Sequence, residues 1–400
     1  MFVPKIGLEI HIHLTTSRKL FCGCKNDPLA PPNTHICDIC TGQPGSLPVL
    51  NREAVTYALK MAQALKMEIN SVLVFDRKHY FYHDLPKNFQ ITQYFHPLGI
   101  NGIYEIGEKM IRIKEMHLEE DAARTIYTME YRLVDFNRSG APLIEIVTQP
   151  DFINAGEVVQ FIRELQAIAR YLKISDASME KGFLRVDVNI SVSRDGEEGE
   201  RVEVKNLNSL KSIRRAIEYE IGRHIEIMES GGKVKRETRT WNENRDVTEP
   251  LREKEIEKDY RYFPEPNIPP FGLEGEKIEI PELPGEKRKR YRKRYRWMSE
   301  KEIEDIVLIP ERAYLFERLA GDGGSRERVR KAYDFVLNLI KGREEKFTPA
   351  EFQRIFEEYL NENITKYAVE EILSSTGDIE TLLAEAKDKK ERMEEKTAMA

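Results

Sequence analysis

In Ile6-Gly7-Leu8-Glu9-Ile10-His11-Ile12-His13-Leu14 every even position is apolar, and after Gly7 the odd ones are Glu, His and His. A period of two sends alternate side chains to opposite faces of a strand. The segment therefore predicts a strand with one face in a core and an acid and two imidazoles on the other. The pattern recurs from Leu184 to Val192, where Leu184, Val186, Val188, Ile190 and Val192 point one way and Arg185, Asp187, Asn189 and Ser191 the other. Val202 and Val204 alternate likewise with Glu203 and Lys205. Leu143-Ile144-Glu145-Ile146-Val147 is apolar on nearly both faces, and a lone carboxylate in such a run needs a partner. Together these segments predict a mostly antiparallel sheet with one face on the core and the other lined by carboxylate, imidazole, amide and ammonium groups. A solvated face with unrelated charges accounts for any one strand, but not readily for three that carry the same kinds of group on one side.

Helical spacing separates these strands. Asn51 precedes a run with Val55, Ala58, Leu59, Ala62 and Leu65 on one stripe. Asn154, with Glu157 three residues later, has the form of a capping box opening a helix to about Leu172. A third helix is expected from about Asn208, with Leu210, Ile213, Ile217 and Ile221 inward, ending by Gly231-Gly232. Phe263-Pro264-Glu265-Pro266-Asn267-Ile268-Pro269-Pro270, with Pro281 and Pro284 beyond, breaks every period and reads as a domain boundary. The expectation is an α+β domain over residues 1–280 and an all-helical domain over 281–400. The second domain opens with Lys287 to Arg296, a basic run interleaved with tyrosines, which suits either phosphate contact or a solvated helix.

All four cysteines fall within the first forty residues, as Cys22-Gly23-Cys24 and Cys37-Asp38-Ile39-Cys40. Paired cysteines across a Pro-rich loop can close a tetrahedral site of four sulfurs around a structural zinc. Two disulfides are the alternative. No secretory signal or apolar span is visible, which favours a reducing cytoplasm and hence the zinc. A formal net charge of −6 with 33% charged residues leaves any nucleic-acid contact to local basic patches.

P-loop, dinucleotide-binding and nucleophile-elbow motifs are absent from the sequence. What remains is acids and imidazole on strands: Glu9, His11, the run His117-Leu118-Glu119-Glu120-Asp121, and Glu145. Hard oxygens with one imidazole suit Mg2+ or Mn2+, ions that commonly clamp phosphates. Phe75 to Tyr82, followed by Asp84-Leu85-Pro86-Lys87, adds Lys78 and Lys87 to neutralise phosphate and Tyr80 and Tyr82 to position a substrate, unless it is an aromatic loop packed for its own sake.

At these residues, and at Gly42-Gln43-Pro44-Gly45-Ser46-Leu47-Pro48, Val134-Asp135-Phe136-Asn137-Arg138, Glu203-Val204-Lys205-Asn206-Leu207-Asn208-Ser209 and Asp259-Tyr260-Arg261-Tyr262-Phe263-Pro264, the chain resembles the B subunit of the aspartyl/glutamyl-tRNA amidotransferase, collinearly to about Pro270. The resemblance implies a cradle-shaped catalytic domain followed by a helical one. It implies a ligase that uses ATP and Mg2+ to phosphorylate the side-chain carboxylate of Glu on tRNA(Gln), or of Asp on tRNA(Asn), and then lets ammonia displace phosphate. It also implies an amidase A subunit that supplies the ammonia, a small C subunit, and a cytoplasmic complex without membrane or DNA partners. Carried onto this sequence, the Mg2+ ligands are His11, Glu120 and Glu145 with Glu9 alongside; Lys78, Tyr80 and Tyr82, read above from the residues themselves, complete the candidate catalytic set. Asp187, Asn189, Glu203, Lys205 and Asn206 line the nucleotide region, where the strand-to-helix turn offers free N–H groups to a phosphate. Three histidines, His13, His79 and His83, depart from the family pattern. The family's C-terminal tail domain is expected to be missing, with the Lys287 to Arg296 run as candidate compensation. A non-catalytic zinc-containing tRNA-binding or assembly subunit is the alternative. Four metal-type ligands on different strands favour the enzyme.

Overall fold

A computed structural model describes residues 1–252, 260–273, 278–340, 342–343 and 346–398, so Asp259 of the last family motif and the terminal Ala400 lie outside the described residues. The chain is α+β and divides into two compact units, Met1–Leu283 and Pro284–Ala400. The first unit begins with β1 (Phe2–His13), α1 (Arg52–Ala64), β2 (Glu68–Ile69), β3 (Val72–Leu73), β4 (Asp76–His79), β5 (Phe89–Thr92), β6 (Gly99–Ile106) and β7 (Lys109–Glu120). It continues through β8 (Arg124–Tyr127), β9 (Arg132–Asp135), β10 (Pro142–Thr148), α2 (Ala155–Tyr171), β11 (Leu184–Arg194), β12 (Val202–Lys205) and α3 (Leu210–Glu229). It ends with β13 (Glu237–Asn242), β14 (Val247–Arg252), β15 (Phe263–Pro264) and β16 (Phe271–Gly272).

Nine strands form one sheet in the order β14-β13-β12-β11-β1-β10-β7-β6-β2. Neighbours are antiparallel except β12 and β13, which run parallel, a pairing that alternation within single strands does not reveal. The alternating segments become the centre of this sheet. Ile6, Leu8, Ile10 and Ile12 of β1 and Leu184, Val186, Val188 and Ile190 of β11 are buried, each contributing on the order of 1.5–3 kcal/mol through removal from water. Helices α1, α2 and α3 contact β7, β6 and β11. Asn51 caps α1 by accepting from Glu53 N–H, Asn154 caps α2 by accepting from Glu157 N–H, and Ser209 caps α3 by accepting from Ser212 N–H. Only part of the expected α3 stripe is fully inside: Ile213 and Ile217 are buried with Ser212, Glu220 and His224, whereas Leu210 and Ile221 are half-exposed.

The proline-rich stretch belongs to the first unit. β15 pairs with β4, and β16 pairs with β3, so residues 263–272 return to the body of that unit before the second one begins. The second unit is helical: α4 (Pro284–Arg294), α5 (Glu300–Val307), α6 (Pro310–Ala320), α7 (Arg326–Asp334) running into a π-helical turn at Phe335–Leu339, α8 (Pro349–Leu360), α9 (Lys366–Ser374) and α10 (Ile379–Ala398). Tyr291, Phe316, Phe335, Phe352 and Phe356 fill its core. The basic run is largely engaged within this unit. Lys287, Arg290 and the Tyr291 hydroxyl converge on Glu317, Arg288 meets Glu304 at 2.6 Å, Arg292 meets Glu300 at 2.6 Å, and Arg294 meets Asp322 at 3.1 Å. Among the described residues no helix is long and apolar enough to cross a membrane.

Candidate active site

Register places the polar side chains. Glu9 lies opposite Asp187, His11 opposite both Glu145 and Arg185, Glu145 opposite His117, and Asn189 opposite Glu203. Directly opposed residues share a face of a sheet. One face of five adjacent strands therefore carries Glu119, His117, Glu145, His11, Glu9, Arg185, Asp187, Asn189, Glu203 and Lys205. Donor atoms of Glu9, His11 and Glu145 all lie within 4.8 Å of one another. On that face Lys205 Nζ donates to Asp187 at 2.5 Å and to Glu203 at 2.9 Å.

Glu120 is not brought to this cluster. The strand alternates, so Glu119 turns to the polar face, its Oε1 3.6 Å from His11 Nε2, while Glu120 turns away. The Glu120 carboxylate accepts from Lys87 Nζ at 2.5 and 2.6 Å and from Ile91 N–H at 2.9 Å. Lys87 is thus tied to Glu120 rather than presented to the cluster. Glu119 and Arg185 were named on their strands but not assigned to the site by sequence reading, although the two-residue period from His117 points to Glu119. The same small sheet that holds β15 brings two more groups over this face. Thr92 of β5 donates to Glu119 at 2.9 Å, and Lys78 of β4 lies among Glu119, Glu145 and Tyr262.

Burial and crowding set the charge states. Burial pushes the Glu145 carboxyl up to about 7, with Glu9 adding to the shift and Lys78 opposing it. Burial and then Glu145 push Glu119 up to about 8. Glu9 is raised by burial and held back by Lys205 and Lys78. Burial, reinforced by Arg185, lowers His11 to about 3, so its imidazole is neutral and has a lone pair to give. Lys78 and Lys205 are raised by the surrounding carboxylates despite burial, so both stay cationic. Arg185 is fixed by donating to Asp121 at 3.0 Å.

Tyr80 is half-buried beside Lys78 and meets the Tyr260 ring edge-on at 6.1 Å. Tyr82 is 49% exposed and packs on His83 at 4.1 Å, turned toward Tyr127 of the β8–β9 hairpin rather than toward the cluster. Asn206 has a left-handed φ of 63° and donates to Thr240 at 2.7 Å. The start of α3 already meets a carboxylate: Glu243 accepts from the Ser212 hydroxyl at 2.6 Å and from the Trp241 indole at 2.8 Å. His13, His79 and His83 each have a structural contact. His13 stacks on Phe183 at 4.8 Å, with Nε2 3.1 Å from Asn26 Oδ1. His79 Nδ1 meets the Arg261 carbonyl at 3.0 Å, and His83 Nε2 meets Thr125 at 2.8 Å.

The four cysteines also converge. None is in a disulfide, and their sulfurs lie within 4.8 Å of one another, against about 3.8 Å across a tetrahedron with 2.3 Å zinc–sulfur bonds. Cys40 Sγ accepts from Cys37 N–H at 3.2 Å and from the fully buried Lys19 ammonium at 3.5 Å. A hydrogen bond from Cys22 and the Lys19 charge, acting against burial, bring the Cys40 thiol down to about 4. Gly42, just past the cluster, has φ +71°, and a Cβ there would come within 2.8 Å of Lys87, so a glycine lets this loop lie against the Lys87–Glu120 pair.

The GatB/GatE catalytic domain family matches residues 4–279. The chain is 49% identical over 325 residues to the B subunit of the aspartyl/glutamyl-tRNA(Asn/Gln) amidotransferase of Thermus thermophilus, covering 80% of this chain and 69% of the relative. A Thermotoga protein of the same name is 48% identical over 78% of this chain and 69% of its own length. The Carboxydothermus hydrogenoformans protein, also so named, is 40% identical over 95% of this chain and 84% of its own. The match spans both the carboxylate face and the cysteine cluster, and the chain belongs to the GatB/GatE catalytic domain family.

Proposed function

We propose that this chain is the ATP-dependent transamidating subunit of a tRNA-dependent amidotransferase, acting on Glu-tRNA(Gln), Asp-tRNA(Asn) or both. The observation that carries the reading is the Glu9, His11 and Glu145 donor cluster flanked by Lys78 and Lys205. Two carboxylates and a neutral imidazole fit a divalent cation such as Mg2+, which would lend Lewis-acid neutralisation of phosphate charge. Lys78 and Lys205 present cations to the transferring phosphoryl group, and Asp187 and Glu203 hold Lys205 in place. Asn189 and Asn206 border the nucleotide region, and Tyr80 packs beside Lys78.

A carboxylate is a poor acyl donor. Its oxygen attacks the γ-phosphorus of ATP, the bond to the β-phosphate oxygen breaks, and ADP leaves. Ammonia then attacks the acyl phosphate carbon, the bond from that carbon to the phosphate oxygen breaks, and the proton lost from nitrogen passes to the departing inorganic phosphate as the amide forms. An amidase A subunit supplies the ammonia and a small C subunit joins the two, in a cytoplasmic complex. The cysteine cluster binds zinc as a closed structural site, its four sulfurs pinning the loop of residues 19–50.

The test is amide formation on each misacylated tRNA with ATP, Mg2+ and free ammonium in place of the amidase. ATP-dependent product from the wild type and none from His11→Ala is the expected result. Equal amidation by His11→Ala, or product without ATP, overturns the proposal.

A further inference from the structure

Tyr94, just after β5, and Tyr262, just before β15, stack with ring centroids 3.9 Å apart and planes 10° from parallel. Both flank β4, the strand that carries Lys78. A buried acid anchors the backbone at Tyr94, and a buried ion pair ties β4 to the residue that follows β15. Fully buried Asp76 accepts from Tyr94 N–H at 2.7 Å and Phe95 N–H at 2.9 Å, and buried Glu265 takes Arg77 in a two-pronged pair at 2.7 and 3.0 Å. Tyr94 nonetheless remains 55% exposed, so ring surface is open to solvent. The pair adjoins the carboxylate face. Tyr262 lies 6.0 Å from Tyr260, and Lys78 Nζ lies 5.0 Å from the Tyr260 ring. Burial pushes the Tyr262 hydroxyl up to about 12, while Lys78 pulls it back and Glu145 and Glu119 add to it.

A rigid, part-exposed aromatic plane beside phosphate-binding cations is suited to a base whose phosphate or acyl end reaches those cations. We infer that Tyr94, backed by Tyr262, is a stacking platform for the adenine of a substrate reacting at the carboxylate cluster. The inference rests on the proposed reaction, which has two adenine-bearing substrates: ATP and an aminoacyl-tRNA with its 3′-terminal adenosine. Tyr94 is a positioning residue in either case.

The experiment measures amide formation by the complex with its partner subunits, varying ATP and aminoacyl-tRNA separately, for wild type, Tyr94→Leu and Tyr94→Phe. Loss of one stacked base predicts a KM about 5- to 150-fold higher for Tyr94→Leu, with kcat little changed, and restoration by Tyr94→Phe, which keeps the ring face. A rise in KM for ATP alone assigns the platform to the nucleotide, and a rise for tRNA alone assigns it to the terminal adenosine. Unchanged KM for both overturns the inference. Equilibrium binding of radiolabelled ATP and of a CCA-ended aminoacyl-minihelix keeps the two readings apart. Binding that is weakened by Tyr94→Leu in a complex that makes no amide removes the proposed reaction and leaves the platform. Binding that is indifferent to Tyr94→Leu removes the platform whatever the activity. The Asp76 anchor uses the Tyr94 backbone, so these substitutions leave it in place.

Discussion

Glu119 and Glu120 are chemically identical neighbours, and the strand alone separates their tasks. Glu119 faces His11 across 3.6 Å, whereas Glu120 is buried against Lys87. On the proposed reading, in which His11 holds Mg2+, Glu119→Ala is expected to raise the Mg2+ concentration for half-maximal amidation about 10- to 100-fold, the range for losing a group that orients a metal-ligand imidazole. Glu120→Gln leaves the Lys87 ammonium without its charge partner and should destabilise the fold by about 3 kcal/mol, seen as a lower urea midpoint. A metal effect from Glu120→Gln with unchanged stability would reverse the two assignments. The polar face was legible because alternation in β1, β11 and β12 fixes which side chains travel together. The phase from His117 pointed to Glu119 within the acidic pair, but the family resemblance assigned Glu120 instead. The role of Lys87 was not legible, because its partner is set by a loop that returns from outside the strand.

The elements with local signals are the ones the sequence marks clearly. Asn51 and Asn154 cap helices where expected, since a cap is decided by residues three or four apart. The parallel β12–β13 pair and the return of Phe263–Gly272 onto β4 and β3 are long-range pairings, which no local period encodes. Helix α3 shows the same limit. Its inward stripe includes Glu220, fully buried, with Oε2 3.2 Å from His224 Nε2 and 2.8 Å from Arg223, Oε1 3.2 Å from Arg239, and a hydrogen bond from Thr248. Burial alone would raise this carboxyl, but the donors around it outweigh burial and hold it at about 2, below its ordinary 4.5. A depressed acid stabilises the fold above its unfolded pKa and loses that contribution as pH falls from about 4.5 toward 2. The shift corresponds to about 3 kcal/mol. Urea midpoints followed through Trp241 in a Trp297→Phe background should therefore show wild type well above Glu220→Gln at pH 7, with the gap closing below pH 4. A gap independent of pH would mean that packing, not charge, holds α3 to β13 and β14.

A net charge of −6 is distributed so that the most basic helix, α4, meets Glu300, Glu304, Glu317 and Asp322 of its own unit, and its run of cations reads better as a frame for the helical unit than as a phosphate track. Composition could not separate those readings, because pairing depends on which acids the fold brings opposite. The cysteines lie entirely in the other unit, where they close a loop between β1 and α1 and abut Lys19 and Gly140. The chain has two tryptophans, Trp241 in the sheet unit and Trp297 in the helical unit, so single-tryptophan versions report each unit separately. A metal that binds only the folded loop adds its binding free energy to the stability of the unit containing that loop and to no other. Removing bound metal with a strong chelator, or making Cys37→Ser with Cys40→Ser, should lower the thermal midpoint reported by Trp241 by at least about 5 °C, which for a unit of this size corresponds to about 2–3 kcal/mol. The midpoint reported by Trp297 should stay within about 2 °C. On the proposed structural role of the cysteines, turnover of the protein that remains folded should change less than stability, because the carboxylate face has its own donors. If the Trp241 midpoint does not move on metal removal, the cluster is held by its Lys19 and backbone hydrogen bonds alone. If both midpoints fall together, the two units unfold as one.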